Sequence, residues 1–235
     1  MNDTNRKIWA IIPAAGIGAR FGGSLPKQYI ELDGIPVIYR SINRILDVDR
    51  VEGALVGIKT DDNHWDGGLF KFSKPVETFT GGSTRFTTVE KGIQRLVDIG
   101  EVNSWVLVHD AVRPCIDPAD INRLIDEVNF KPAGGLLASP ISGTIKFCRG
   151  SSVSNTVSRQ SMWEAQTPQL FSVEALSQAM KYAQQNRLQC TDESQAIELS
   201  GICPQVVPNN KFNIKITEAS DLVVASAIIN IQNLL

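Results

Sequence analysis

IIPAAGIGARFGGSLPKQY, residues 11–29, begins as an apolar run and turns at once into a loop with four glycines, two prolines and two isolated cations, Arg20 and Lys27. A buried strand followed by such a loop is the usual entry to a phosphate site in an open α/β sheet, whose ligands bind beyond the carboxyl ends of the strands. Three loop types fit in part. The Walker pattern fails, because Gly18 and Gly23 have its gap but Ser24 follows where Lys is required. The dinucleotide fingerprint fails, because Phe21 stands at the third glycine position after Gly16 and Gly18. The third is a loop whose backbone N–H groups wrap a triphosphate while Arg20 and Lys27 neutralise it; beside it stands a plain surface loop with incidental charges. Small residues (Ala14, Ala15, Gly16, Gly18) allow that close approach.

Outward from this loop the chain alternates. IWAIIP (8–13), GALVGI (53–58), VETF (76–79), WVLVHD (105–110) and GGLLASP (134–140) read as strands, most of them apolar nearly throughout. Between them, 36–46, 83–97 and 118–128 read as helices, and 60–72 is a less regular candidate with a polar start. Asp117-Pro118 is a helix start, with Asp as cap and Pro in the first turn. The expected fold is α/β, doubly wound, with a mostly parallel sheet in one domain spanning 1–235. At 141–162 the alternation breaks. β-branched runs flank RGSS and predict a β-hairpin with little apolar surface, an arm that leans on a partner subunit or on its own domain. Helices near 173–186, 192–199 and 218–232 and a short strand near 204–207 complete the reading.

The chain of 235 residues can bury roughly 70–75% of its unfolded surface without a metal or disulfide staple. A net charge of −2 argues against a nucleic-acid partner, so any anion is held by a few placed cations. The four cysteines (115, 148, 190, 203) share no CxxC spacing, which favours reduced thiols in a cytoplasmic protein over a zinc site. The N-terminal stretch is too polar for a signal peptide, and no apolar run approaches the ~18 residues of a membrane span.

Other stretches bear chemistry. VLVHDAVRP (106–114) ends a strand with His109, Asp110 and Arg113. Asp110 would face the same crevice as the first loop and could hold Mg²⁺, or else serve as a helix cap or a structural Asp–Arg pair, whereas His109 reads as a satisfied strand-end histidine. TVSRQSMWEAQTPQLF (156–171) carries Arg159, and its Thr-Pro-Gln reads as a tight polar turn. NIKIT (213–217) sets Lys215 between two isoleucines, on the opposite face if the segment is a strand. CTDESQAIE (190–198) reads as a mainly structural helix start capped by Thr191 or Asp192.

In order and spacing, PAAGIGARFGGSLPKQY, GGSTR, VLVHDAVRP, SGTIKF, the R…W.AQTPQ.F stretch, TDES and NIKIT resemble the 2-C-methyl-D-erythritol 4-phosphate cytidylyltransferase family from about residue 8 to 231. The resemblance implies transfer of CMP from CTP to 2-C-methyl-D-erythritol 4-phosphate, with release of pyrophosphate, in the non-mevalonate isoprenoid precursor pathway. It implies that Arg20 and Lys27 grip the triphosphate and that Arg159 and Lys215 position the polyol phosphate. Thr144 and Thr167 would touch that substrate. Ala14, Ala15, Gly16, Gly18, Gly82 and Thr88 would read the cytidine. Asp110 would sit beside Mg²⁺, and Arg113 would support the crevice. It also implies a homodimer through the arm, with Thr144 and Arg159 serving the neighbouring site.

The chain departs from the family pattern at Thr84, Thr87 and Thr88, where the extra methyl of Thr88 would shift the base contact, and at Ser158, where an Asp commonly precedes the arginine. Ribitol-5-phosphate cytidylyltransferase shares most of these motifs; TDES and VLVHDAVRP favour the erythritol enzyme. A nucleotide-binding module without turnover need not keep both sets of cations. A nicotinamide oxidoreductase is disfavoured by the failed fingerprint.

Overall fold

The protein is described by a computed structural model covering residues 6–16, 25–68 and 70–234. Arg20 and Gly18 lie outside these residues. The strands are β1 (Ile8–Pro13), β2 (Glu31–Leu32), β3 (Ile35–Pro36), β4 (Val51–Ile58), β5 (Val76–Thr80), β6 (Trp105–Val108), β7 (Gly135–Pro140), β8 (Ile145–Arg149), β9 (Ser152–Val157), β10 (Trp163–Ser172) and β11 (Gln205–Pro208). The helices are α1 (Val37–Leu46), α2 (Arg85–Asp98), α3 (Pro118–Val128), α4 (Val173–Gln185), α5 (Glu193–Leu199) and α6 (Ala219–Gln232).

Among the described residues, one seven-stranded sheet has the order β11-β7-β10-β6-β1-β4-β5. Every neighbouring pair is parallel except those of β10, which runs antiparallel to both β6 and β7. The continuous apolar strands serve two cores at once, because successive side chains point to opposite faces. Ile8, Ala10, Ile12 and Leu107 pack with α1 and α3, while Ile11, Val106 and Val108 pack with α2, α4 and α5. A third cluster joins α6 to Leu32, Val112 and Ile216, tying the last helix to the loop after β6.

Three expectations require correction. The described residues of 60–72 form no helix. Asp62 Oδ1 accepts the backbone N–H groups of His64 and Trp65, and Trp65, Phe70 and Phe72 gather around Tyr39. Thr-Pro-Gln is no turn. It lies within β10, whose register shifts between Ala165 and Gln169, and a strand irregularity is where a proline without an N–H is tolerated. Residues 213–217 join no sheet; Ile216 donates its backbone N–H to the carbonyl of Val112 and is buried, which leaves Lys215 facing outward as the alternation predicts. The predicted hairpin is present as antiparallel β8 and β9, a two-stranded sheet separate from the main one.

Candidate active site

The carboxyl ends of β1, β5 and β6 meet at one cleft of about 190 Å³. β1 delivers Ala14, whose N–H donates to the carbonyl of Gly57 at 2.7 Å. Where the described chain resumes, Pro26 leads into a single tight turn at Lys27–Tyr29. Buried Gln28 closes that loop by donating Nε2 to the carbonyls of Ala14 (2.8 Å) and Gly16 (3.0 Å). Lys27 is thereby turned into the cleft, where its Nζ donates to the carbonyl of Ile216 at 3.0 Å.

The second wall is the start of α2. Thr84 caps the helix in a reciprocal box with Thr87. Gly81 must lack a side chain, because a Cβ there would stand 2.5 Å from that of Ala15. Thr88, in the first turn, accepts from the N–H of Gly82 (2.9 Å) and donates to the carbonyl of Thr84 (2.8 Å). Its methyl lies over Gly57, where a side chain would approach to 2.4 Å. The extra methyl that sets this chain apart is therefore housed by Gly57, and the hydroxyl is occupied in fixing Gly82.

Behind β6, Asp110 is buried among three cations. Oδ1 accepts from Arg85 Nε at 2.9 Å, and Oδ2 lies 2.9 Å from Lys215 Nζ and 3.5 Å from Arg113 Nε. Burial alone would raise its carboxyl; Arg85, Lys215 and Arg113 overcome that and hold it well below the usual carboxylate range. His109 is fully buried, and burial pushes its imidazole down to about 4. Its partners fix the tautomer. The carbonyl of Arg113 can only accept, so His109 Nε2 carries the proton and donates to it at 3.1 Å. Nδ1 of the neutral ring then accepts at 3.1 Å from Thr167 Oγ1, which itself accepts the N–H of Asp110 at 3.0 Å. A histidine with both nitrogens engaged is a structural member, as its place at a strand end predicts.

The structure thus brings Ala14, Ala15, Gly16, Lys27, Gly82, Thr88, Asp110 and Lys215 to one cleft. Arg113 sits beneath it, donating Nη1 to the carbonyl of Asn213 at 2.6 Å. Thr167 does not line the cleft; its hydroxyl is turned inward to hold Asp110 and His109. Thr144 and Arg159 are exposed at the base of the arm and do not line the cleft of their own chain, and Arg159 donates to the carbonyl of Ser142.

Sequence reasoning missed Arg85, Gln28 and Glu193. Arg85 carried a signal: a cation at the first residue of a helix opposes the helix dipole, so something other than the helix must hold it. Glu193 was masked because an acid in a first helical turn is ordinary.

Residues 8–231 match the family model for 2-C-methyl-D-erythritol 4-phosphate cytidylyltransferase. The chain belongs to this family. A cytidylyltransferase of that name from Halorhodospira halophila is 44% identical over 96% of this chain and 95% of its own length. One from Pseudomonas aeruginosa is 39% identical over 92% and 93%. The crystal structure of the Francisella tularensis enzyme superposes with a TM-score of 0.82 at 33% identity, covering 94% of this chain and 99% of that one.

Proposed function

We propose that this chain, as a single domain, transfers CMP from CTP to 2-C-methyl-D-erythritol 4-phosphate and releases pyrophosphate, the reaction its family names. The observation that carries the reading is the cleft itself, with Lys27, Lys215 and Asp110 converging beside the Gly82 and Ala14–Gly16 backbone. The nucleophile is a phosphomonoester, whose second pKa of about 6 leaves it mostly dianionic at neutral pH. It attacks the α-phosphorus of CTP in line, the bond to the bridging oxygen breaks, and pyrophosphate leaves. No proton has to be removed, which agrees with a site whose only histidine is neutral and fully engaged. The difficulty is bringing one anion to another, and placed cations answer it by charge stabilisation and orientation.

Lys27, with Arg20, grips the triphosphate. Lys215, with Arg159, receives the polyol phosphate. The Ala14–Gly16 backbone and Gly82, which Thr88 holds in place, read the cytidine. A divalent cation, Mg²⁺, fits the donor set. Such an ion is bound by one or two carboxylates plus substrate phosphates. Asp110 lines the cleft and would supply one carboxylate, exchanging contacts that Arg85 and Lys215 now make with it. Held by Asp110 and the phosphates, the ion would neutralise charge on the triphosphate.

The arm supports a homodimer. Phe147 and Val153, 54% and 59% exposed, offer apolar surface for a second copy, whose cleft Thr144 and Arg159 would complete. Four unpaired cysteines and a nucleotide substrate favour a cytoplasmic setting. The deciding experiment is pyrophosphate release from CTP and Mg²⁺ with 2-C-methyl-D-erythritol 4-phosphate, beside a parallel reaction with ribitol 5-phosphate. Release in the first alone is expected. Release in the second alone would transfer the site to another polyol phosphate, and silence in both would refute turnover.

A further inference from the structure

Arg85 at the cleft and Glu193 behind it have no part in the chemistry above. Arg85 lines the cleft at the start of α2, and Glu193, the first residue of α5, is 2% exposed. They form a two-pronged pair, with Nη1–Oε1 at 2.7 Å and Nη2–Oε2 at 2.9 Å. The same guanidinium gives Nε to Asp110 Oδ1 at 2.9 Å. One planar fork thus spans two carboxylates from different elements, a geometry that a lysine cannot reproduce.

Local structure does not explain Arg85, which opposes the dipole of its own helix, and it does not explain why Glu193 is buried, since α5 already has Asp192 as cap, accepting from the N–H of Gln195 at 2.9 Å. A buried carboxylate is costly unless paired. The consequence of the pair lies at Asp110. Because Glu193 holds the far end of the fork, Arg85 reaches Asp110 through Nε alone and on Oδ1 alone. Oδ2 is left to Lys215 at 2.9 Å. With Glu193 present, the cluster holds three cations (Arg85, Arg113, Lys215) against two carboxylates. Without its charge, the Nη groups of Arg85 would be free to turn onto Asp110 and compete with the ammonium of Lys215.

We propose that Glu193 is a positioning residue that acts through Arg85 and Asp110 to hold the Lys215 ammonium ready for the polyol phosphate. This rests on the reading of Lys215 as that substrate's contact.

The test is steady-state kinetics on Glu193→Gln, Lys215→Ala and the double variant, with KM measured for each substrate and thermal unfolding recorded alongside. Glu193→Gln should raise KM for 2-C-methyl-D-erythritol 4-phosphate roughly 10-fold or more, the worth of a charge-assisted hydrogen bond, while KM for CTP moves less than about threefold. In the Lys215→Ala background the same change should add nothing to that KM. A pair that only staples α5 to α2 would lower the melting temperature and leave both KM values in place when Glu193→Gln is made alone; that result overturns the proposal. An unimpaired Glu193→Gln beside an impaired Lys215→Ala refutes the role of Glu193 alone. An unimpaired Lys215→Ala refutes the assignment of Lys215, and the proposal with it. Should Glu193→Gln fail to fold, Arg85→Lys carries the test: it keeps the charge, loses the fork and should give the same selective rise in KM.

Discussion

Acidification should cost this protein stability through His109, and the amount follows from its surroundings. An unfolded histidine titrates near 6.5, whereas the buried ring is held at about 4. The folded value is depressed, so the unfolded chain binds the extra proton first. The contribution is complete above pH 6.5, falls as pH drops below that value and levels off below 4. A full shift of 2.5 units corresponds to about 3 kcal/mol, of which roughly 2.5 kcal/mol is lost by pH 4.5. Glu193 works in the opposite direction over part of this range, because burial raises its carboxyl even beside Arg85. The measurement is therefore a difference. Denaturant unfolding of the protein and of His109→Gln, with a chelator present, is followed from pH 7.5 to 4.5. Glutamine retains a donor for the Arg113 carbonyl and an acceptor for the Thr167 hydroxyl, and it does not titrate. The advantage of His109 over Gln should shrink by roughly 2.5 kcal/mol across the range. The chain has only two histidines, so His64→Gln leaves one imidazole to follow by NMR. It should be neutral at pH 5.5, with its proton on Nε2. An imidazole titrating near 6.5 in the folded protein, or a proton on Nδ1, would refute the hydrogen-bond chain from Asp110 through Thr167 to His109.

Three further outcomes are expected. Lys27→Ala should lower turnover by about 100-fold or more while the far-ultraviolet circular dichroism stays unchanged, as for loss of a group that stabilises transition-state charge; near-normal turnover would remove Lys27 from the triphosphate site. Thr88→Val, which strands the Gly82 N–H, should cost about 1–3 kcal/mol in denaturant unfolding and raise KM for CTP, and Thr88→Ser should restore both. Phe147→Glu combined with Val153→Glu should shift sedimentation from dimer to monomer and abolish turnover; an active monomer would show that the arm serves no second site.

Much of the fold was legible because strand and helix periodicities are local. β1, β6 and α1–α3 follow from apolar runs, 3.6-residue patterns and caps such as Asp117-Pro118. β10 was not legible. Its Thr-Pro-Gln has the composition of a turn, and only pairing with β6 and β7 on both sides makes it a central strand. Residues 213–217 erred the other way, since alternation set by a single anchoring hydrogen bond at Ile216 looks like strand alternation. In the site, residues with an evident task, such as Lys27, Asp110 and Lys215, were legible. Arg85 and Glu193 were not, because their meaning lies in a pairing across 108 positions that no local pattern encodes.

The arrangement of charge around Asp110 explains how a cleft can be ready for two anions before either arrives. Three cations with no carboxylate among them would repel one another and drift toward water. Asp110 draws Arg85, Arg113 and Lys215 to one point, and their charges in turn hold its carboxyl well below the usual carboxylate range. Glu193 removes one more unit of positive charge and leaves a net excess of one on these five groups. That excess is enough to favour a phosphate. On the assignment proposed for Lys215, the phosphate, arriving with two negative charges, would compete with Asp110 for the half-exposed Lys215 and not for the buried Arg113. The cation offered to substrate would then be the one least deeply held, while those that shape the site stay where the fold has fixed them.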